Sequence, residues 1–397
     1  MKTLYFDHAA TTPLDKRVKE AMDRDRTDAL LNPSSIHRFG QTAGAVMDKA
    51  REAVSASLGA EFRSTIFTSG ATEANNLVLR GSLKAFYRSF RSEAMLPPRI
   101  IVSGIEHDSI FHTANDIGEE GAEVFFISAE KNGTVSHKKV IEAINERTIL
   151  VSVMTVNNET GAVQPIAEIG KAIRDMRGEG LYPIFHTDAA QAYRYMNCRL
   201  DTLHADIVTV SGHKIGGPRG VGALAMKSVG KYGMGKAIHP IITGGGQEFG
   251  MRSGTENVAA IFGFREAVKL AEKEREKNIK NVSGVKEVFW KELKKAFPKA
   301  MINGPTEKEW AKKSSPHILN IWLPGHNSAE LLMKCDMAGV AVSYGSACGA
   351  KSFKPSHVLE SMGLPDKRVK ESVRISFGPG NTVAEAKEGV KRMADFL

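Results

Sequence analysis

The chain has 397 residues, of which 42% are hydrophobic and 25% are charged, and its formal net charge is +9. This composition is typical of a globular protein, and the length predicts two domains with enough material for a buried active site. The charge lies in mixed-sign runs such as EKEREK at 272–277, so we predict no direct binding of nucleic acid.

Cysteine is rare and irregularly spaced. Cys198, Cys335 and Cys348 form no CxxC pair, which argues against a structural metal site and against a disulfide framework. The first residues resemble neither a secretion signal nor a transit peptide, and no apolar run is long enough to span a membrane. We therefore predict a cytoplasmic protein that does not contact membranes.

Strand and helix patterns alternate through the first two thirds of the chain. A short apolar run at 4–6 precedes helical patterns from residue 14 and over 45–58, and the predicted strands that follow are at 64–68, 99–103, 124–127, 148–156, 182–185 and 207–210. Helical patterns separate most of these strands, which predicts an α/β fold with a mainly parallel sheet flanked by helices.

The pattern changes after a long amphipathic helical region at about 261–297. Predicted strands at 317–322, 340–343 and 373–377 and a helix at 329–336 indicate a smaller α+β domain. We place the large domain at residues 14–265 and the small domain at 1–13 and 266–397.

A glycine turn joins the strand at 64–68 to the helix that follows it. Its residues are Ser69, Gly70, Ala71 and Thr72. The first N–H groups of a helix are unpaired and the helix dipole is positive there, so such a turn can hold a phosphate. A plain helix cap is the alternative interpretation.

Four predicted strands lead into polar residues, namely His107, Asn158, Asp188 and Lys214. The carboxyl ends of parallel strands meet at one edge of a sheet, where ligands bind. A lysine there can be a nucleophile that forms an imine, a carboxylate can keep a pyridine nitrogen protonated, and the glycine turn can hold a phosphate; these are the requirements of pyridoxal 5'-phosphate. A solvated lysine, a turn-capping aspartate and a core histidine are the alternatives.

Nine segments then occur in one order: FDHAATTP (6–13), NPSSIHRFG (32–40), TSGATEANN (68–76), EH (106–107), NNETG (157–161), HTDAAQ (186–191), SGHK (211–214), GGGQEFGMRSGTEN (244–257) and GSAC (345–348). The chain resembles the cysteine desulfurases of the class V aminotransferase family. The resemblance implies a homodimer with the fold-type I pyridoxal phosphate transferase fold. It also implies conversion of L-cysteine to L-alanine and delivery of sulfur to an acceptor protein, in iron-sulfur cluster assembly or tRNA thiolation.

The resemblance assigns roles around the cofactor ring. It implies that Lys214 binds the cofactor covalently and moves a proton at the substrate, and that Asp188 pairs with the pyridine nitrogen. His107 matches a residue that stacks on the ring and takes part in acid/base steps. Asn158 and Gln191 match residues that bind the phenolic oxygen, and Asn158 also faces the substrate.

The resemblance also implies which residues bind the anionic groups of the cofactor and the substrate. It places the cofactor phosphate against Gly70, Ala71, Thr72, Ser211 and His213. Thr255 matches a threonine that reaches the phosphate of the neighbouring subunit. Arg374 matches the arginine that binds the substrate carboxylate, for which a planar guanidinium is suited.

Cys348 matches the cysteine that accepts sulfur as a persulfide. Its segment, SYGSACGAKSFK at 343–354, is small and polar without apolar periodicity, so we expect it to be exposed and mobile. Its thiolate would attack the sulfur of the bound cysteine. A small buried hydrophobe is the alternative, which suits Cys198 and Cys335 better.

Other functions stay open beside this one. A selenocysteine lyase or another class V aminotransferase would use the same cofactor, and a silent paralogue would serve only as a scaffold. Tyr344 and Phe249 depart from the residues usual at their positions in the family, which bears on the choice of acceptor.

Overall fold

A computed structural model describes residues 2–90, 96–227, 233–345 and 355–397. Its strands are β1 Leu4–Tyr5, β2 Thr65–Thr68, β3 Arg99–Ser103, β4 Glu123–Ile127, β5 Thr148–Ser152, β6 Ile184–Asp188, β7 Ile207–Ser211, β8 Gly222–Met226, β9 Met301–Asn303, β10 Ile318–Trp322, β11 Val340–Ala341 and β12 Ser372–Ser376.

The α-helices within the described ranges lie between and after these strands. They are α1 Lys16–Arg24, α2 Arg38–Leu58, α3 Ala71–Ser89, α4 Asp108–Glu119, α5 His137–Glu142, α6 Ile166–Arg177, α7 Leu200–Leu203, α8 Met234–Ala237, α9 Val258–Lys273, α10 Arg275–Ala296, α11 Trp310–Lys313, α12 Ser328–Met337, α13 His357–Ser361, α14 Asp366–Lys370 and α15 Val383–Phe396.

The large sheet has the strand order β2-β8-β7-β6-β5-β3-β4. Strands β7, β6, β5, β3 and β4 are parallel neighbours, and β8 runs antiparallel to both β2 and β7. Every residue of β5, β6 and β7 is buried, as expected for strands covered on both faces. Helices α2, α6 and α9 contribute to the apolar cluster on one face, and α3 and α4 to the cluster on the other. The predicted α/β class is confirmed.

A second apolar cluster surrounds the antiparallel sheet β12-β10-β9 and the parallel pair β1 and β11. Phe6, Phe289 and Phe377 meet edge to face within it, with ring centroids 5.4–5.7 Å apart. The N-terminal strand therefore packs with C-terminal elements. The domain bounds at 14–265 against 1–13 and 266–397 stay a prediction.

Several predicted elements differ from the structure at their ends. The strand expected at 148–156 ends at Ser152, and the strand expected at 182–185 extends to Asp188. The polar end of β6 is stable inside the sheet because its groups are paired: the His186 ring lies 2.8 Å from Ser152 Oγ and 3.0 Å from Thr209 Oγ1.

Other elements differ more. The helical region expected at 261–297 is two helices that meet at Glu274, and β8, β9 and α15 were not predicted. Strand β8 has the sequence GALAM, which lacks the β-branched and aromatic residues typical of strands. It is buried between two partner strands, β2 and β7, which stabilise it. Among the described residues, none of the helices combines the length and the apolar character that a membrane span requires.

Candidate active site

A cavity of about 410 Å³ opens at the carboxyl ends of the parallel strands. It gathers eleven of the residues singled out in the sequence: Gly70, Ala71, Thr72, His107, Asn158, Asp188, Gln191, Ser211, His213, Lys214 and Arg374. Thr255 does not line this cavity, and Cys348 lies outside the described residues. Strand order therefore brings together residues that are far apart in sequence.

Lys214 ends a 3-10 turn, Gly212–Lys214, that directly follows β7. Its Nζ donates hydrogen bonds to the carbonyl oxygens of Ala9 at 2.5 Å and Ala10 at 2.8 Å. The backbone N–H of Thr12 in turn donates to the carbonyl of His213 at 3.1 Å. The small-residue loop near the N-terminus thus forms one wall of the site and holds the lysine amine.

Asp188 and His107 are joined by two residues that the sequence analysis did not single out. Asn75 donates from Nδ2 to Asp188 Oδ2 at 2.8 Å and to Ser109 Oγ at 2.9 Å. The hydroxyl of Ser109 lies 2.9 Å from His107 Nδ1. Ala190 N–H donates to the other oxygen of Asp188 at 2.8 Å. Asn75 is a polar residue on the buried face of α3, and that break in an apolar face was the signal available in the sequence.

The protonation of His107 follows from its contacts. The backbone N–H of Ser109 donates to His107 Nδ1 at 3.1 Å, so Nδ1 accepts and the proton of the neutral ring lies on Nε2. Burial lowers the pKa of His107, an effect that Asp188 opposes and Lys214 reinforces. His107 therefore presents a neutral ring with an N–H donor.

The glycine turn has the geometry of a helix N-terminus that can hold an anion. Gly70 caps α3 with φ at 152°, and Ala71 and Thr72 form the first helical turn with their N–H groups directed toward the cavity end. Gly222 packs against the turn so closely that a Cβ there would lie 2.8 Å from the Cα of Gly70. Strand β8 therefore sets the position of the turn.

His213 and Ser211 also line the cavity. The His213 ring lies 3.1 Å from Thr11 Oγ1, and burial followed by the nearby Lys214 and Arg219 charges lowers its pKa to about 4. The ring is therefore neutral at pH 7 and can donate only one hydrogen bond. Arg219 is exposed and also lines the cavity, which adds positive charge for an anion.

Gln191 is oriented by His317, which directly precedes β10. Its Nε2 donates to Ala9 O at 2.9 Å, and its Oε1 lies 3.2 Å from His317 Nε2. His317 is buried and its pKa lies well below the usual value because of desolvation. Its neutral ring accepts from Ser315 Oγ at Nδ1, 2.5 Å away, so Nε2 carries the proton donated to Gln191.

Arg374, on β12, is almost fully buried and reaches the cavity from the small sheet. Its Nη1 donates to the carbonyl of Asn158 and its Nη2 to Asp7 Oδ1, each at 2.9 Å. Asp7 was not predicted as a site residue although it lies in the first motif. The Nε of Arg374 has no acceptor among the described residues.

Pyridoxal phosphate fits these residues. The buried Oδ1 of Asn158 has no partner among the described residues although it lines the cavity, as expected of an atom that meets a ligand. The amine of Lys214 could bind the aldehyde of the cofactor, and the carboxylate of Asp188 could pair with its pyridine nitrogen. The N–H groups after Gly70 could hold its phosphate.

The loop that carries Thr255 is tied to the large sheet by a buried ion pair. Arg51 meets Glu248 through two contacts of 2.7 Å, and the Phe67 N–H donates to Glu248 at 2.8 Å. Phe249, one of the two departures from the family pattern, covers this pair, with its ring 4.8 Å from the Arg51 guanidinium. Thr255 is exposed and lines a neighbouring cleft of about 220 Å³.

Comparisons with known proteins agree with this geometry. The family model "Aminotransferase class-V" matches residues 4–388. The IscS 1 protein of Bacillus subtilis strain 168 is 42% identical, covering 100% of this chain and 99% of that protein. Cysteine desulfurase IscS of Dictyoglomus turgidum is 36% identical, covering 95% and 90%.

Solved structures show the same similarity. A NifS-like protein superposes with a TM-score of 0.87 at 30% identity, covering 99% of this chain and 98% of that chain. DndA of Streptomyces lividans superposes with a TM-score of 0.77 at 34% identity, covering 95% and 100%. The similarity in sequence and the similarity in structure therefore both extend over nearly the whole chain.

Proposed function

The chain belongs to the class V aminotransferase family and, within it, to the cysteine desulfurases, and we propose that its Cys348 accepts the substrate sulfur as a persulfide. Cysteine desulfurases use pyridoxal phosphate to convert L-cysteine to L-alanine. The observation that carries the proposal is the convergence of Lys214, Asp188, His107 and Arg374 on one cavity. Bound pyridoxal phosphate supplies an electron sink that weakens bonds at the amino acid carbons.

Lys214 is proposed to bind the cofactor and to move a proton at the substrate Cα. Its amine has two carbonyl acceptors, those of Ala9 and Ala10, which hold it at the cavity wall before it binds the cofactor. An amine positioned in this way can serve as a base once the substrate has replaced it. Asp188, oriented by Asn75, is proposed to pair with the ring nitrogen.

His107 and Arg374 are proposed to act on the substrate side. The neutral His107 ring, with its proton on Nε2, can stack on an aromatic cofactor and donate a proton. Arg374 is held by Asn158 and Asp7, and its guanidinium can bind the carboxylate of the amino acid. Asn158 and Gln191 are proposed to bind the phenolic oxygen of the cofactor.

Sulfur transfer requires a thiolate. The Cys348 thiolate would attack the sulfur of bound cysteine while the Cβ–S bond breaks, and a proton would be added at Cβ. Cysteine plus the enzyme thiol thus becomes alanine plus the enzyme persulfide, with atoms and electrons balanced. The two cysteines in the described ranges support this assignment, because Cys198 and Cys335 are buried and burial raises the pKa of each to about 12.

The finer proposals concern assembly and destination. We propose a homodimer, which is supported by the exposed Thr255 beside the glycine turn. We also propose that the sulfur passes to an acceptor protein in iron-sulfur cluster assembly or tRNA thiolation. A cytoplasmic location is supported by the free thiols of Cys198 and Cys335, which fit a reducing compartment. Analytical ultracentrifugation tests the dimer, and tracing sulfur from labelled cysteine to captured proteins tests the acceptor.

A direct assay tests the proposed function. Purified protein supplied with pyridoxal phosphate should be yellow, and with L-cysteine and a thiol reductant it should release equal amounts of alanine and sulfide. Cys348→Ala should keep the colour and lose sulfide release. A colourless protein, or full sulfide release by Cys348→Ala, would refute the proposal. Parallel assays with selenocysteine distinguish the lyase alternative.

A further inference from the structure

A second cleft, of about 810 Å³, lies away from the active site between α10 and the segment around α11. The indole rings of Trp290 and Trp310 form part of its lining, together with Ile279. Trp290 donates to Glu307, and Trp310 donates to the carbonyl of Pro305 at 3.0 Å, so both rings are held in place. The cleft therefore has rigid, flat apolar walls.

A buried ammonium, that of Lys286, lies in the lining of this cleft. Lys286 is only 2% exposed, and its Nζ donates to Ser314 Oγ at 2.7 Å and to Ser315 O at 3.0 Å. The same nitrogen lies 4.5 Å from the ring centre of Trp310. An ammonium has three donors, and within the described part of the chain the third meets no carboxylate or carbonyl oxygen.

The electrostatics of the cleft favour an anion. A buried cation without a counter-ion is costly, and burial accordingly lowers the pKa of Lys286 to about 7, with only Glu287 acting in the opposite direction. Three more lysines line the cleft at its exposed edge: Lys291, Lys294 and Lys295. Of the two glutamates that also line it, Glu307 accepts from the Trp290 indole.

We propose that this cleft binds a small organic anion, an aromatic carboxylate, with its carboxylate at Lys286 and its ring between the two indoles. The anion supplies the missing counter-ion, and the apolar walls bury its flat body. Such a site is distinct from the pyridoxal phosphate cavity, because the two share no lining residue.

The cleft is connected to the active site by a short hydrogen-bonded chain. Lys286 binds the carbonyl of Ser315, the Ser315 hydroxyl donates to His317, and His317 donates to Gln191. Gln191 in turn shares the acceptor of Lys214. Occupancy of the cleft therefore shifts Ser315 and, through His317, changes the orientation of Gln191. This coupling rests on the proposed function, whereas binding in the cleft does not.

Naphthalene-2-carboxylate is a suitable probe, and naphthalene-2-carboxamide is its uncharged control. Calorimetric titration of the holoenzyme should show carboxylate binding at least about tenfold tighter than carboxamide binding. Lys286→Met, which keeps the side-chain length, and Ala311→Phe, which fills the cleft, should each weaken carboxylate binding at least about tenfold. Lys171→Met, at an exposed position of α6 that does not line the cleft, should bind as the wild type does. Equal binding of the two probes, or undiminished binding by Lys286→Met, overturns the site.

The coupling has its own readout, the pH titration of the bound cofactor's absorbance. Saturating naphthalene-2-carboxylate should change the apparent acid dissociation constant of the chromophore by about fivefold. Ser315→Ala should bind the probe but lose this shift, because it removes only the hydroxyl that contacts His317. An unchanged titration in the wild type, or an unchanged shift in Ser315→Ala, overturns the coupling. A protein that stays colourless with pyridoxal phosphate refutes the proposed function instead, and probe binding is then measured on that protein.

Discussion

Lys214 and Gln191 donate hydrogen bonds to the same carbonyl oxygen, that of Ala9, at 2.5 Å and 2.9 Å. The two side chains come from separate strand ends, and the acceptor comes from the loop after β1. The N-terminal loop thus sets the distance between the amine that is proposed to bind the cofactor and the amide that is proposed to face its phenolic oxygen.

Replacing the lysine tests this arrangement. Lys214→Ala should abolish the yellow colour of the covalently bound cofactor and lower alanine formation from cysteine by about 10³-fold or more, because the imine and the proton carrier are both lost. Absorbance spectra and alanine assays measure the two effects. Lys171→Ala is the control, and retention of the spectrum by Lys214→Ala would contradict the assignment.

Asn75→Ala should weaken cofactor binding. The substitution removes the donor to Asp188 Oδ2 and to Ser109, which leaves a buried carboxylate and the His107 contact less well ordered. A loss of about 1–3 kcal/mol corresponds to at least about fivefold weaker affinity of the apoprotein for pyridoxal phosphate, measured by fluorescence titration. Asn115→Ala, on the exposed face of α4, should bind normally. Unchanged affinity in Asn75→Ala would show that Asp188 does not depend on this link.

Persulfide formation should depend on one of the three cysteines. Cys198→Ala and Cys335→Ala should still form an enzyme persulfide, because burial raises the pKa of both thiols to about 12 and keeps them protonated. Cys348→Ala should form none. Mass spectrometry of the alkylated protein after one turnover distinguishes the variants. A persulfide on Cys198 or Cys335 would assign the chemistry to a different thiol.

Glu106 gives a pH dependence of stability. It is fully buried beside His107, and desolvation raises its pKa from 4.5 to about 8, although Ser103 and the Met154 N–H donate to it. Between pH 4.5 and pH 8 the folded state therefore keeps a proton on Glu106 that the unfolded state has lost. The contribution of this proton to stability is complete below pH 4.5 and disappears as the pH rises through 8.

The expected loss is on the order of a few kcal/mol over that range. Glu106→Gln retains a neutral polar side chain, so its stability relative to the wild type should increase from pH 5 to pH 9. Urea denaturation of both proteins at several pH values measures the difference. A constant difference would mean that Glu106 is ionised throughout.

The buried ion pair below the Thr255 loop should be strongly coupled. Arg51→Met leaves Glu248 without its cation and should lower the free energy of unfolding by about 3–5 kcal/mol. Glu248→Gln still accepts from the Phe67 N–H, so the double variant should lose less than the sum of the two single losses. Chemical denaturation of the wild type, the two single variants and the double variant gives the coupling energy. A loss in the double variant equal to the sum of the two single losses would contradict the prediction.

Much of this protein could be predicted from local sequence. The residues of β3 matched the prediction at both ends, and the sheet class followed from alternating apolar runs. Lys214 was singled out because a buried strand ends in glycines, and the glycine turn because a strand runs directly into a helix. These features depend on neighbours in the chain, and short-range patterns report them.

The sequence alone therefore determined the fold class, the motif order and the residue types of the site. Only the tertiary structure decided which side chains meet: Asn75 with Asp188, Gln191 with His317, and Arg374 with Asp7. The same holds for Lys286, which the sequence presents as one charge on a polar helix. The structure buries it with no carboxylate in contact among the described residues. The physical reason is that long-range hydrogen bonds and desolvation depend on side-chain direction and packing, which no local periodicity encodes.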